Sequence, residues 1–141
     1  MGIFLTTKDT VSQSNPFNVA YLNGAVPTIT CSRSAVAALK FWWKVNKTGM
    51  AGFTEQAKMI LDNSQYLKAG LNKIGWPAWQ NEYSNTVYFK RPSDAVMKKY
   101  GLAPEFDKRL GGDLAHIIIM QHVTHDLIDQ IVNDIKTTAG K

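Results

Sequence analysis

Apolar residues recur every three or four positions along two stretches in the first half of the chain, at about 35–47 and about 52–73. This spacing places apolar side chains on one face of a helix and predicts two successive amphipathic helices. Ser32 or Ser34 can cap the first helix, and Gly49 is well placed to end it. The apolar stripe of the first helix consists of Val36, Leu39, Trp42 and Trp43.

The second half of the chain contains two strand patterns. The segment NTVYFKR, residues 85–91, alternates polar and apolar residues and predicts a half-buried strand, with Val87 and Phe89 on one face. The segment LAHIIIM, residues 114–120, is apolar on both faces, as expected for a central strand covered by helices. A further strand near residues 78–83 remains an open alternative.

Two more helices follow from capping signals. Ser93 caps a short helix that runs to about Tyr100, and Thr124 caps a last helix over residues 125–137. From residue 32 onward, the order of elements is therefore α, α, β, α, β, α. This order predicts an α+β fold in which helices pack on a small sheet. Adjacent strands are most naturally antiparallel, although the sequence does not reveal their pairing.

The first thirty residues have a different character. The segment GIFLTT, residues 2–7, predicts a short strand, because it is rich in residues that favour strands. Residues 8–30 show no clear periodicity and contain Pro16, Gly24 and Pro27. An irregular segment of this length is unusual inside a small domain and is often functional.

Composition narrows the functional classes. The 141 residues suffice for one compact domain, and no apolar run approaches the ~18 residues needed to cross a bilayer. The net charge is +5, but lysines such as Lys40, Lys44 and Lys47 are spaced singly, as on a solvated helix face. We therefore expect neither nucleic acid nor membrane as a partner. Cys31 is the single cysteine, which favours a reducing, cytoplasmic location.

Residues that could carry chemistry are sparse. His122 and His125 straddle the proposed cap at Thr124 and do not share a helix face, while His116 lies inside an apolar strand. We interpret all three as structural histidines and predict no metal site. Cys31 lacks a neighbouring base, so we predict no catalytic residue in this chain.

The turn before the first helix is the strongest candidate binding site. Thr28, Thr30, Ser32 and Ser34 supply hydroxyls beside Arg33, at a helix N-terminus whose free N–H groups favour anions. Phosphate or carboxylate recognition is one interpretation. The alternative is a plain helix cap with Arg33 in solvent.

Three segments carry a resemblance to a known family, and they occur in the family's order and at family-like spacing. The segments are VAYLNGAVPTITCSRSAVAALKFWWKVNKTGMAGF (19–53), NSQYLKAGLNKIGWPAWQNEYSNTVYFKRP (63–92) and LAHIIIMQHVTHDLIDQIVNDI (114–135). Together they resemble the C-terminal part of pyridoxal-phosphate-dependent group II amino-acid decarboxylases, of the serine/histidine decarboxylase type.

The resemblance implies the small C-terminal domain of a fold-type-I enzyme whose active site lies at a dimer interface. Residues 1–30 would then be a remnant of the large-domain strand and crossover, and residues 31–141 would be the small domain. Pyridoxal phosphate would bind only in the complete enzyme. The implied partner is a large domain or a full-length decarboxylase subunit, in a homo- or heterodimer.

The chain also departs from the family pattern. The family's Schiff-base lysine follows a histidine, and this sequence contains no His-Lys pair. The family turn resembles Ser-Arg-Asn-Gly-His, whereas here it is Ser32-Arg33-Ser34-Ala35-Val36. The resemblance implies that Ser32 and Arg33 contact the cofactor pocket across the dimer interface.

Two functions are consistent with this resemblance. In the first, the chain is the C-terminal portion of an amino-acid carboxy-lyase, lacking the Schiff-base lysine and inactive alone. In the second, it is a non-catalytic subunit that docks on a full-length decarboxylase and regulates it.

Overall fold

A computed structural model describes residues 7, 9–10, 18–19, 24–25 and 34–138. The chain divides into two compact units, residues 1–49 and residues 50–141. In the first unit, β1 (Asn18–Val19) and β2 (Gly24–Ala25) pair in antiparallel fashion. The strand predicted over residues 2–7 lies outside the described residues.

The long helix α1 spans Ala35–Lys73 and is interrupted at Gly49, whose φ of 64° and ψ of 174° are not helical. Glycine adopts positive φ without the steric penalty that a Cβ imposes. The two predicted helices and the break between them are therefore confirmed. The residues after the break bury Ser64, Leu67 and Leu71. The apolar stripe before the break is exposed, with Trp42 61% accessible.

The second unit contains a four-stranded antiparallel sheet in the order β3-β4-β6-β5. Its strands are β3 (Ala78–Gln80), β4 (Thr86–Lys90), β5 (Ala103–Asp107) and β6 (Gly112–Ile118). Two further helices belong to this unit, α2 (Asp94–Tyr100) and α3 (His125–Thr138), and a 3-10 turn covers Lys108–Leu110. The predicted α+β fold is therefore confirmed.

Individual strands differ from the sequence-based expectations. β3 confirms the open alternative near residues 78–83, and β6 begins two residues before the predicted strand. The pattern did not indicate β5, because its sequence APEFD contains a proline and two acidic residues and is mostly exposed. Pro104 is tolerated there because β5 is an edge strand.

The core lies between the helices and one face of the sheet. The cross-strand register aligns Ala78, Phe89 and Ala115, all of which are buried. The helices contribute Leu67, Leu71, Val96, Met97, Ile128, Ile131 and Ile135 to the same cluster. β6 is central as predicted, and Leu114 and Ala115, which lie on opposite faces of the strand, are both buried. Each fully buried large side chain contributes about 1.5–3 kcal/mol to folding.

Side-chain hydrogen bonds cap the first turns of α2 and α3, as predicted, and others connect the two helices. The Ser93 hydroxyl accepts from the N–H of Val96, and the Thr124 hydroxyl accepts from the N–H of Leu127. The Asp134 carboxylate of α3 accepts from Lys99 Nζ at 2.6 Å and from Tyr100 Oη at 2.7 Å. Both hydrogen bonds lower the pKa of Asp134, and the one from Lys99 has the larger effect.

No helix in the described part of the chain is long and apolar enough to cross a membrane.

Candidate functional site on the open face of the sheet

The face of the sheet opposite Val87 and Phe89 carries a row of three rings. The register places Trp79 of β3 beside Tyr88 of β4, and Tyr88 beside His116 of β6. All three are half-buried, and none belongs to the core cluster. Thr86 and Ile118 pair in the adjacent row, where Ile118 is 52% accessible. We call these five residues the open face.

His116 gives the open face an unmet polar requirement. Its Nδ1 is buried and has no hydrogen-bond partner among the described residues. The nearest carboxylate oxygen, Glu105 Oε2, lies 3.8 Å away, which is beyond hydrogen-bond range. The ring also lies against Tyr88, with centroids 5.4 Å apart. A buried polar group left unpaired costs about 1–3 kcal/mol.

The composition of this face suits recognition more than chemistry. Rings with a polar edge are typical of the buried centres of protein interfaces. Across the residues that the structure describes, no group of three or more His, Cys, Asp or Glu side chains is placed to hold a metal ion. The open face can therefore contribute apolar contact area and one imidazole to a neighbouring surface.

The other two histidines lie outside the aromatic row, although His122 lines the same cavity as His116. The His125 ring stacks on Tyr66, with centroids 4.2 Å apart and an interplanar angle of 18°. Tyr66 Oη donates to Asp129 at 2.9 Å, and this hydrogen bond raises the pKa of Tyr66. His125 thus connects α3 to α1, in keeping with a structural histidine. His122 is exposed beside a small cavity of about 320 Å³.

Comparisons with known proteins place this geometry in context. No protein-family profile matches the chain. Serine decarboxylase 1 of Oryza sativa subsp. japonica is 33% identical over 135 residues, which cover 95% of this chain and 27% of the relative. Histidine decarboxylase of Vibrio campbellii is 32% identical over 144 residues, covering 99% of this chain and 36% of the relative.

The chain is homologous to a part of the serine and histidine decarboxylases. The resemblance inferred from the three sequence segments is therefore confirmed. The chain spans only about a third of the length of these relatives. A match of this extent is consistent with a C-terminal portion of such a decarboxylase.

A solved structure supports the same fold. L-methionine decarboxylase from Streptomyces sp. 590, in its internal aldimine form, matches 88% of this chain with a TM-score of 0.70 and 19% identity. The match covers 26% of that chain. The fold of this protein is therefore that of about a quarter of a larger decarboxylase chain.

The described residues do not fit pyridoxal phosphate, the cofactor that the decarboxylase resemblance implies. A lysine that binds this cofactor needs an enclosed pocket, with a carboxylate facing the ring nitrogen and groups that hold the phosphate. In the part of the chain that the structure describes, the lysines are exposed except Lys68, which is half-buried. No reaction step through the cofactor follows from their arrangement.

The predicted cofactor contacts lie outside the residues that the structure describes. Ser32 and Arg33 are not among the described residues, and neither are Thr28, Thr30 and Cys31. Their proposed role stays a prediction. Ser34 is described and exposed, directly before the first residue of α1.

Sequence reasoning missed the aromatic row on the open face. The alternation in residues 85–91 already placed Tyr88 opposite the core-facing Val87 and Phe89. Joining Tyr88 to Trp79 and His116 required the strand register, which no local pattern encodes.

Proposed function

We propose that this chain is the C-terminal portion of a pyridoxal-phosphate-dependent amino-acid decarboxylase and works only when joined to a cofactor-binding large domain. The observation that carries the proposal is the homology to about a third of the serine and histidine decarboxylases. When bound, pyridoxal phosphate supplies the electron sink that lets the α-carboxylate leave as CO₂. In that assembly, this chain would contribute one side of the cofactor pocket and a surface that binds the large domain.

The open face supports the docking part of the proposal. The rings of Trp79 and Tyr88 are half-buried outside the core cluster, and His116 Nδ1 has no hydrogen-bond partner among the described residues. A large-domain surface that covers these rings would bury their remaining apolar area. A hydrogen bond from that surface to the imidazole would remove the cost of the unpaired Nδ1. Aromatic side chains of this kind are enriched in the buried centres of protein interfaces.

The helical segment before Gly49 supports the proposal independently. Its large apolar side chains are exposed along the whole segment, namely Val36, Leu39, Phe41, Trp42, Trp43 and Val45. A helix that is apolar and uncovered gains stability by burying that surface against another domain. We expect these residues to be covered in the complete enzyme.

The sequence supports the inactivity of the chain alone. It contains no His-Lys pair, so the Schiff-base lysine would come from the large domain. Ser32 and Arg33 would contact the cofactor pocket of a second subunit, in a cytoplasmic dimer. An oxygen donor beside a guanidinium suits an anionic group such as a phosphate or carboxylate.

Mixing the chain with a large domain tests the proposal. The partner would be histidine decarboxylase of Vibrio campbellii, truncated to remove the segment homologous to this chain. We expect no lysine adduct with pyridoxal phosphate by absorbance, and no CO₂ from L-histidine or L-serine, for the chain alone. Complex formation by sedimentation and CO₂ release are expected on mixing. A covalent adduct at a defined lysine of the chain alone would overturn the claim that the anchor lies elsewhere.

Two substitutions locate the docking surface. Tyr88→Ala on the open face should weaken the complex at least about tenfold, as loss of a central aromatic contact does. Phe106→Ala is the matched control, because Phe106 is 59% accessible on the edge strand and lies outside the open face. Inhibition of an intact decarboxylase by added chain would instead favour the alternative, a regulatory subunit.

A further inference from the structure

A cleft of about 610 Å³ separates the second part of α1 from the hairpin turn between β3 and β4. We call it the helix–hairpin cleft. Its helix wall includes Thr54, Leu61 and Lys68, and its hairpin wall runs from Gln80 to Tyr83. All lining residues belong to the second unit. The volume lies in the range of about 300–1,000 Å³ that small-molecule sites occupy.

The floor of the cleft is held by a chain of hydrogen bonds. The Gln80 side-chain amide donates to Ser64 Oγ and to the Ser84 carbonyl, both at 2.6 Å. The Ser64 hydroxyl donates in turn to the Leu61 carbonyl at 2.7 Å, and Ser64 is fully buried. The helix and the hairpin turn are therefore connected to each other, so the cleft is formed before any ligand enters.

The walls carry charges of both signs. Lys58 and Lys68 supply cations, and Asp62 and Glu82 supply carboxylates. Within residues 34–138, these four form no ion pair, whereas Arg91, Lys99 and Arg109 each pair with an aspartate. Unpaired charges of both signs at one cleft are complementary to a ligand that is itself a zwitterion.

Tyr83 stands at the rim in a strained conformation. Its φ is 56°, and no other residue except glycine has a positive φ in the described part of the chain. The Tyr83 side chain is 84% accessible. The left-handed region costs a residue with a Cβ roughly 1–2 kcal/mol. An exposed tyrosine does not offset this cost by burial in the fold. Strain of this kind clusters at binding sites.

We propose that the helix–hairpin cleft binds a free α-amino acid with a flat side chain. The ligand carboxylate pairs with Lys68, the half-buried lysine of the cleft, and its ammonium group pairs with Asp62 or Glu82. The ligand ring stacks on Tyr83, since offset aromatic pairs are favourable. This site lies on the helix side of the sheet and does not depend on the open face or on a large domain.

Four probes separate the contributions of the ligand groups. L-phenylalanine carries carboxylate, ammonium and ring. Phenethylamine lacks the carboxylate, 3-phenylpropionate lacks the ammonium group, and L-alanine lacks the ring. Loss of a charged hydrogen bond or of the stacked ring should weaken binding at least about tenfold relative to L-phenylalanine.

The measurement is calorimetric titration of the full 141-residue chain, without pyridoxal phosphate or a large domain. Lys68→Gln should weaken L-phenylalanine at least about tenfold but leave phenethylamine unchanged, because the amine has no carboxylate to lose. Lys68→Arg should retain binding. Lys136→Gln is the matched control, since this exposed lysine of α3 does not line the cleft.

Three outcomes would overturn the proposal: equal binding of L-phenylalanine and phenethylamine, no effect of Lys68→Gln, or no binding of L-phenylalanine up to about 20 mM. Circular dichroism of each variant confirms that it is folded before titration. Because the titration contains neither cofactor nor partner domain, its failure leaves the proposed decarboxylase function untouched. Failure of the mixing experiment likewise leaves the cleft proposal untouched.

Discussion

The two faces of the sheet are built from the same strands and differ in what covers them. On the covered face, Val87, Phe89 and Ala115 are fully buried under the helices. On the open face, their immediate neighbours Tyr88 and His116 are half-buried and lie outside the core cluster of the described residues. Burial of the first set stabilises the fold, whereas the second set keeps part of its surface accessible. Residues at alternate positions of one strand therefore differ in burial.

The largest effect is expected from emptying the covered face. Phe89→Ala should lower the free energy of unfolding by about 3–5 kcal/mol, because it removes a fully buried ring and leaves a cavity. Tyr88→Ala, one position away, should cost about 1 kcal/mol or less in the chain alone. Urea denaturation of both variants measures the difference. Equal losses would mean that the two faces are equally structural.

A smaller effect of opposite sign is expected at the centre of the open face. His116→Phe removes the unpaired Nδ1 and should raise the free energy of unfolding of the chain alone by about 1 kcal/mol. The same variant should bind a large domain less tightly. His122→Phe is the control, because His122 is exposed and lies outside the open face. A destabilised His116→Phe variant would show that the imidazole is satisfied within this chain.

Relief of strain at the hairpin should give a still smaller gain. Tyr83→Gly removes the Cβ from a left-handed position and should stabilise the chain by about 0.5–1 kcal/mol, net of the entropy cost of glycine. Thermal unfolding by calorimetry measures the gain. Tyr83→Ala, which keeps a Cβ, should show no such increase.

The smallest effect concerns the exposed contact between α2 and α3. The hydrogen bond from Lys99 holds the pKa of Asp134 below its ordinary value of 3.8. Asp134 therefore stabilises the fold above that value, and its contribution is lost as the pH falls through the lower folded pKa. Exposed pairs contribute little, so the effect is small and weakens with salt.

Asp134→Asn tests this pH dependence. The variant should be less stable than the wild type at pH 7, and the difference should shrink as the pH falls below 3.8. Chemical denaturation across pH 2–7 follows the difference. A difference that persists unchanged at the lowest pH would contradict an origin in the ionised carboxylate.

Local sequence patterns predicted a large part of the fold. Apolar spacing and capping residues located the helices, including the break at Gly49, because these signals act within a few residues of one another. β5 escaped prediction because Pro104 and its acidic neighbours suit an exposed edge, which resembles a loop in sequence.

The candidate sites were less accessible to sequence reasoning. Ser32 and Arg33 were predicted from a turn and a family resemblance, and their role stays a prediction. The open face could not be predicted, because Tyr88 and His116 are distant in sequence and meet only through the pairing of β4 with β6. The helix–hairpin cleft likewise depends on the packing of a turn against a helix.

The sequence by itself determined which residues form helices and strands, and the family to which those segments are similar. Both depend on local order along the chain. The tertiary structure alone decided the strand order β3-β4-β6-β5, the sheet face that the helices cover, and the aromatic row that they leave open. Strand register and helix placement arise from burying apolar surface among segments distant in the chain, and periodicity within one segment does not specify them.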